Sequence, residues 1–345
     1  MTRNLSEARS VVITGASRGL GFASAKHLYG QGWRVVAAMR SPERGLALLR
    51  EATGAAADDD RLIAVPLDLA DTGSIDAAAK AVEAAVGAPD AVVHNAGISA
   101  AGVVEESPLE LWESMFATHV LGPVRLTQAL LPGMRAAGRG RIVMVSSAGG
   151  VRGMPSIAAY SASKGAVERW AESLAGEIAP FGLGVTVLVT GTFDTDIITD
   201  AGTTDLRDFD GPYAPLHNRI DKRGRLAMRI AKSPDKFARA LRGALEDTAP
   251  YTRHPVGSDA RMLLLASRFL SQGGMYQMSR LAMGLPRQGA IRDGTASLTL
   301  GQRAMIRAAT TLPAPVMQRI AVVVMKFGPR PKPSRPTEQG SGTDA

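Results

Sequence analysis

Residues 141–170, RIVMVSSAGGVRGMPSIAAYSASKGAVERW, decide how the rest of the chain reads. The β-branched run from Ile142 to Val145 reads as a buried strand that delivers Ser146 and Ser147 at its end. Tyr160 follows, and four residues later Lys164, in a segment that is helical by pattern. Residues spaced i,i+4 share a helix face, so the Lys164 ammonium can lie near the Tyr160 phenol. A free phenol titrates near ~10 and is a poor base at neutral pH, whereas a neighbouring cation favours the phenolate. Lowering that value by two or three units requires roughly 3 to 4 kcal/mol from the cation and its surroundings. A serine hydroxyl beside the phenol could then hydrogen-bond a substrate oxygen while the phenol gives or takes a proton. A bare Tyr-x-x-x-Lys is commonly just a surface helix. The strand and serines before it, and the glycine motif described next, weigh against that reading here.

Upstream, the apolar strand Val11-Val12-Ile13 runs into Thr14-Gly15-Ala16-Ser17-Arg18-Gly19-Leu20-Gly21 and then a helical pattern through Tyr29. In a strand, glycine turn and helix, backbone N–H groups can approach a pyrophosphate at the positive helix end. The glycine spacing is GxxxGxG, unlike the GxGxxG dinucleotide fingerprint, and taken alone it indicates no more than a tight turn. The second strand, from Arg34 to Ala38, is followed by Met39-Arg40 with no acid to bind a ribose 2′-hydroxyl. Arg40 and Arg18 could instead reach one 2′-phosphate, which points to NADP(H).

Further strands run from Leu62 to Leu67, ending at Asp68, from Ala91 to Val93, ending in His94-Asn95-Ala96-Gly97, and from Val185 to Val189, ending in Thr190-Gly191-Thr192-Phe193-Asp194-Thr195. Helical patterns lie between them: Ser74 to Val86, and Leu109 to Met134, the latter expected to stop near Pro132-Gly133. Strands alternating with helices predict an α/β fold with a doubly wound parallel sheet, whose ligands sit at the carboxyl ends of the strands. Every motif quoted above falls at such an end.

With these residues in hand, the chain resembles the classical short-chain dehydrogenase/reductase family across residues 9–200, through TGASRGLG, Asp68, HNAG, Ser147, YSASK and TGTFDT. The resemblance implies a Rossmann-type, nicotinamide-dependent oxidoreductase. In it Tyr160 would be the general acid/base, Lys164 would lower its pKa and hold the nicotinamide ribose, and Ser147 would orient the substrate oxygen. Gly15, Ser17, Arg18, Gly19, Leu20 and Gly21 would line the cofactor phosphates, Asp68 and Leu69 the adenine, and Asn95, Ala96 and Gly97 the adjoining ribose. Thr195 resembles the family threonine that contacts the carboxamide. The chain departs from the pattern twice. His119, in Phe116-Ala-Thr-His119-Val-Leu-Gly122, stands where the family carries a catalytic asparagine, and Thr190-Gly191 replaces the usual Pro-Gly. A histidine there could bind water or relay protons and would titrate near neutrality, or it could merely preserve a helix bend.

Composition bounds the rest. The 345 residues contain no cysteine, which excludes disulfides and cysteine metal sites, and no metal site is expected. Residues 1–205 carry 17 basic and 22 acidic groups, and residues 206–345 carry 23 and 10, so basicity belongs to the C-terminal part. No signal peptide or spanning segment is read, and a cytoplasmic protein is expected. Residues 1–285 are expected to form the catalytic domain, with an irregular substrate lid at about 196–232. Residues 286–328 would be a basic helical extension containing an amphipathic 302–311 and an apolar 316–327, and 329–345 a disordered tail. The extension suits peripheral contact with anionic membranes, or packing against a partner. The expected activity is hydride transfer between NADP(H) and a hydrophobic ketone or secondary alcohol, in a homo-oligomer with no nucleic-acid partner. The alternatives are an extended-type epimerase or dehydratase on the same fold, and a catalytically impaired cofactor-binding regulatory or scaffold protein.

Overall fold

The computed structural model describes residues 8–195, 203–229 and 231–294. The chain divides after Leu285, and the first unit holds the whole sheet described below. In chain order its elements are β1 (Ser10–Thr14), α1 (Gly19–Gly30), β2 (Arg34–Met39), α2 (Pro42–Thr53), β3 (Leu62–Pro66), α3 (Thr72–Val86), β4 (Ala91–His94), β5 (Ser99–Ala101), α4 (Leu109–Phe116), α5 (Gly122–Ala137), β6 (Gly140–Ser147), α6 (Ala148–Val151), α7 (Ala158–Ile178), β7 (Leu183–Thr190), β8 (Thr203–Asp205), α8 (Ala214–Met228), α9 (Pro234–Leu245), β9 (Tyr251–Val256), α10 (Ser258–Phe269) and α11 (Gln272–Ala282).

Seven of the strands form one sheet in the order β3-β2-β1-β4-β6-β7-β9, and every neighbouring pair is parallel. Such a sheet is covered on both faces, so its strands are apolar at successive positions and not only at alternate ones. Val12 and Val36 pack in one core with α3, α5 and α7, while Val11, Ile13, Val35 and Ala37 pack in the other with α1 and α9. The strand order reverses between β1 and β4, which opens a crevice at their carboxyl ends.

Four local expectations are corrected or extended. Helix α5 does not stop at Pro132 but runs to Ala137, because Leu126, Leu130 and Met134 keep one buried face in register across the proline. Between α4 and α5 the backbone makes one π-helical turn, Ala117–Leu121, which centres the bend on His119. Helix α2 was not foreshadowed, although Ser41-Pro42 before an amphipathic stretch is an ordinary helix start. The region expected to be an irregular lid contains β8, paired in parallel with β5, and the 15-residue α8. Only His217 of α8 is buried, so its sequence carried little apolar periodicity. Residues 196–202 and the expected elements at 302–311, 316–327 and 329–345 lie outside the described residues.

Candidate active site

At the crevice, β1 ends in a turn where Gly15 has φ +69° and Gly19 φ +57°, the left-handed region that side chains disfavour. A Cβ on Gly15 would come within 2.8 Å of the Ala96 backbone, and one on Gly21 would overlap the Gly15 carbonyl oxygen. Glycine is therefore required for the turn to pass against the Asn95–Ala96 segment, independently of any ligand. That segment is tied down in turn. The Asn95 side-chain amide donates to the Thr14 carbonyl at 2.9 Å, and the Asn95 and Ala96 N–H groups donate to Thr14 Oγ1 at 3.0 and 3.1 Å. Thr195 approaches the same turn, its Cγ2 lying 3.4 Å from where a Gly19 Cβ would be. Arg18 and Arg40 are exposed at the mouths of β1 and β2, and neither side chain is engaged by another described residue. Ser17 and Leu20 are half-buried in the turn. Asp68 accepts the Ala70 N–H at 3.0 Å, and the buried Leu69 backs onto Gly122, where a Cβ would overlap its carbonyl oxygen.

Strand β6 delivers Ser147, whose Oγ accepts the Gly149 N–H at 3.2 Å at the start of α6. Helix α7 carries Tyr160 and Lys164 one turn apart, with the ammonium 5.9 Å from the phenol ring centroid. The buried Lys164 ammonium donates to the Val145 carbonyl at 2.9 Å, which fastens α7 to β6 beside Ser147. Burial lowers its pKa to about 8. The phenol does not behave as its spacing from lysine suggested. Burial holds Tyr160 above its ordinary value, and the hydrogen bond with Ser147 pulls it back only in part. Desolvation outweighs that hydrogen bond.

The expectation that His119 titrates near neutrality is likewise overturned. Its ring is buried, and burial, with the Lys164 charge second, holds its pKa well below the ordinary range. Nε2 accepts the Ile98 N–H at 3.0 Å, so the proton of the neutral ring sits on Nδ1, 2.8 Å from Ser163 Oγ. The Ser163 hydroxyl then donates to the Tyr160 carbonyl at 2.9 Å. Both ring nitrogens are thus committed to protein groups, and the ring meets the Tyr160 ring edge-on at 5.6 Å. This geometry favours a bracing role over a proton relay, and it links the π turn, the Gly97-Ile98 segment and α7.

Two supporting networks were not singled out from sequence. On α7, the buried Glu168 accepts the Ser146 hydroxyl at 2.7 Å and pairs with Arg253 of β9. Glu168 lies four residues past Lys164 on a largely apolar face, which was a legible signal. After β7, Asp259 accepts the Thr192 N–H at 2.6 Å and pairs with Lys232 at 2.9 Å, partners too far apart in sequence for any local pattern to reveal. The start of α8 is fastened to the rim after β5: Tyr213 donates to Glu105, and His217 Nε2 lies 2.9 Å from Glu106.

A family model described as short chain dehydrogenase matches residues 9–205, which span the glycine turn, the His94–Gly97 segment and the Ser147, Tyr160 and Lys164 set. The chain belongs to the short-chain dehydrogenase family. It is 32% identical over 262 residues to an uncharacterised oxidoreductase, YusZ, of Bacillus subtilis, covering 74% of this chain and 91% of that protein. It is 30% identical over 267 residues to a 3-ketodihydrosphingosine reductase of Bacteroides thetaiotaomicron, covering 77% and 94%. Among solved structures, a short-chain dehydrogenase of Streptomyces avermitilis superposes with a TM-score of 0.69 at 33% identity, over 82% of this chain and all of that one. A metagenomic short-chain oxidoreductase in complex with NADP gives 0.56 at 27% identity, over 72% and 96%. Short-chain dehydrogenases are nicotinamide-dependent oxidoreductases, and the parallel seven-stranded sheet is their Rossmann-type fold. Among the described residues no helix is long and apolar enough to cross a membrane, and no group of side chains is arranged to hold a metal ion.

Proposed function

We propose that this short-chain dehydrogenase is an NADP(H)-dependent reductase of hydrophobic ketones, acting in reverse on the matching secondary alcohols, with Tyr160 as general acid/base. The observation that carries the reading is the convergence of Ser147 from β6 with Tyr160 and Lys164 from α7, beside a turn that only glycine can make. The residues present fit a dinucleotide: the turn bares backbone N–H groups at the start of α1, and Lys164 is held where it can reach a ribose hydroxyl. Unengaged Arg18 and Arg40, with no acid at the end of β2, support NADP(H) over NAD(H).

The reduced nicotinamide supplies the hydride when bound. Tyr160 gives its hydroxyl proton to the carbonyl oxygen, and Ser147 hydrogen-bonds and orients that oxygen. Lys164 favours the phenolate that remains, and so eases the transfer. His119 and Ser163 brace Tyr160 through its carbonyl, and Asn95, Ala96 and Gly97 shape the floor of the crevice. An apolar substrate is supported by the relative named as a 3-ketodihydrosphingosine reductase. The reading includes a lid over residues 196–232 and assembly into homo-oligomers through the helices that carry His119 and Tyr160.

The test is NADPH oxidation, followed by absorbance, against a panel of long-chain, steroid and retinoid carbonyls, with NADH run in parallel. Turnover of at least one apolar ketone, faster with NADPH, is expected. Tight NADPH binding with no turnover across the panel would favour a cofactor-binding regulatory protein instead.

A further inference from the structure

Helix α10 follows the last strand of the sheet and packs by Ala260 and Leu264 against the core of one sheet face. At 100° per residue, Met262, Leu265 and Phe269 lie on the opposite side of the helix. They are 68%, 55% and 80% exposed, in a row about two turns long, and the exposed Leu270 extends it. An outward row of this kind is the reverse of what a surface helix ordinarily presents to water. Arg261 and Arg268, two turns apart, lie along one flank of the row, both exposed and neither paired with an acid among the described residues. The single carboxylate of the helix, Asp259, lies on the other flank of the row and is occupied by Thr192 and Lys232. From Ala260 to Arg292 the sequence carries five arginines and no acidic residue.

We infer that α10 is a membrane-contact helix, docking the enzyme on a bilayer with anionic headgroups. Met262, Leu265 and Phe269 would enter the headgroup and acyl boundary while Arg261 and Arg268 meet the phosphates. Apolar side chains flanked by unpaired arginines, with the helix's one carboxylate paired to Lys232, are what an interfacial helix requires. A second copy of the chain fits less well. Antiparallel pairing of two α10 rows about a two-fold axis would bring both arginine flanks to the same edge, where like charges repel. The contact involves none of the residues assigned to catalysis or cofactor binding, so it stands or falls independently of the reductase reading.

The test uses the full chain in flotation with vesicles of phosphatidylcholine alone and of phosphatidylcholine mixed with phosphatidylglycerol. Three proteins are compared: wild type, Leu265→Ser with Phe269→Ser, and Arg261→Glu with Arg268→Glu. All four positions are exposed, so melting temperature and NADPH affinity in solution should be unchanged. Wild type should bind the anionic vesicles, less so as salt rises, and bind phosphatidylcholine weakly. A basic group near an anionic surface contributes about fivefold in partitioning, so the charge reversal should weaken binding by about thirtyfold or more. The serine variant should lose most binding to both vesicle types. Failure of the wild type to float with anionic vesicles at low salt overturns the inference, as does undiminished binding by both variants. If the serine variant instead converts an oligomer into a smaller species with vesicle binding unaltered, the row is a subunit interface and the membrane assignment is wrong.

Discussion

Removing the Glu168 carboxylate tests how helix α7 is held. Glu168 is 2% exposed, accepts the Ser146 hydroxyl at 2.7 Å and pairs with Arg253, whose side chain is 27% exposed. Glu168→Ala would leave a mostly desolvated guanidinium without its counter-charge and a buried serine without its acceptor. Breaking a buried pair from one side costs about 3 to 5 kcal/mol, and the partial exposure of Arg253 argues for the lower end. At about 2.1 cal/mol/K of unfolding entropy per residue, a chain of 345 residues loses about 1.5 °C of melting temperature per kcal/mol, so a fall of about 4 to 6 °C is expected. Glu168→Gln keeps an acceptor for Ser146 and should lose about half as much. Because Ser146 adjoins Ser147, and Glu168 lies one turn from Lys164, kcat should fall with Glu168→Ala while NADPH affinity changes little. Thermal melts and urea titrations of Glu168→Ala, Arg253→Met and the double variant form a cycle in which the double variant should be less damaged than the sum by about 1 to 3 kcal/mol. Additive losses would refute the claim that the two side chains act as a pair, and an unchanged melting temperature for Glu168→Ala would refute the bracing argument altogether.

Tyr160→Phe should reduce turnover by about 10² to 10⁴-fold with NADPH binding nearly intact, and a variant keeping half of wild-type turnover would remove Tyr160 as the acid. Replacing Arg18 and Arg40 together by Ala should weaken NADPH by about 1.5 to 3 kcal/mol per lost contact and leave NADH almost unaffected; fluorescence titration with both cofactors decides, and equal losses would give the arginines another task. His94, hydrogen-bonded to Thr127 at 2.8 Å, has its pKa lowered by burial from 6.5 to about 3. The unfolded chain therefore takes up a proton that the fold refuses, and stability present above pH 6.5 is lost as pH falls toward 3, by about 5 kcal/mol at most. Urea midpoints for His94→Gln should decline less steeply than wild type over that window. Lys164 acts at the other end: with its pKa lowered from 10.5 to about 8, stability should rise with pH between those values, and Lys164→Met should flatten that rise.

The framework was legible because the strands of a doubly covered parallel sheet are uninterrupted apolar runs. Val11 to Ile13, Val35 to Ala38 and Val185 to Val189 leave no alternation to misread, and each ends at a residue of the crevice. Local spacing likewise placed Tyr160 and Lys164 on one helix face. What it could not give was the balance of forces on them. The phenol's pKa is set by burial and by its hydrogen bond with Ser147, thirteen residues away, neither of which a four-residue interval contains. The state of His119 depends on Ile98 and Ser163, 21 and 44 residues away, so its neutral, doubly bonded form emerges only from the fold. Helix α8 was invisible for a related reason: its anchors are polar contacts to Glu105 and Glu106, not an apolar stripe.

The reversal of strand order between β1 and β4 has a consequence for how the protein emerges from the ribosome. The arm β1, β2, β3 is complete once residue 66 has been made, yet β1 then has a neighbour on one side only, and its other edge waits for residues 91–94. The opposite arm must add β4, β6, β7 and β9 outward from that seam, the last of them arriving at residues 251–256. Parallel rungs always join distant stretches of chain, so each addition is entropically slow and leaves an unpaired edge in the meantime. The nascent chain thus holds its glycine turn long before Ser147 and Tyr160 exist.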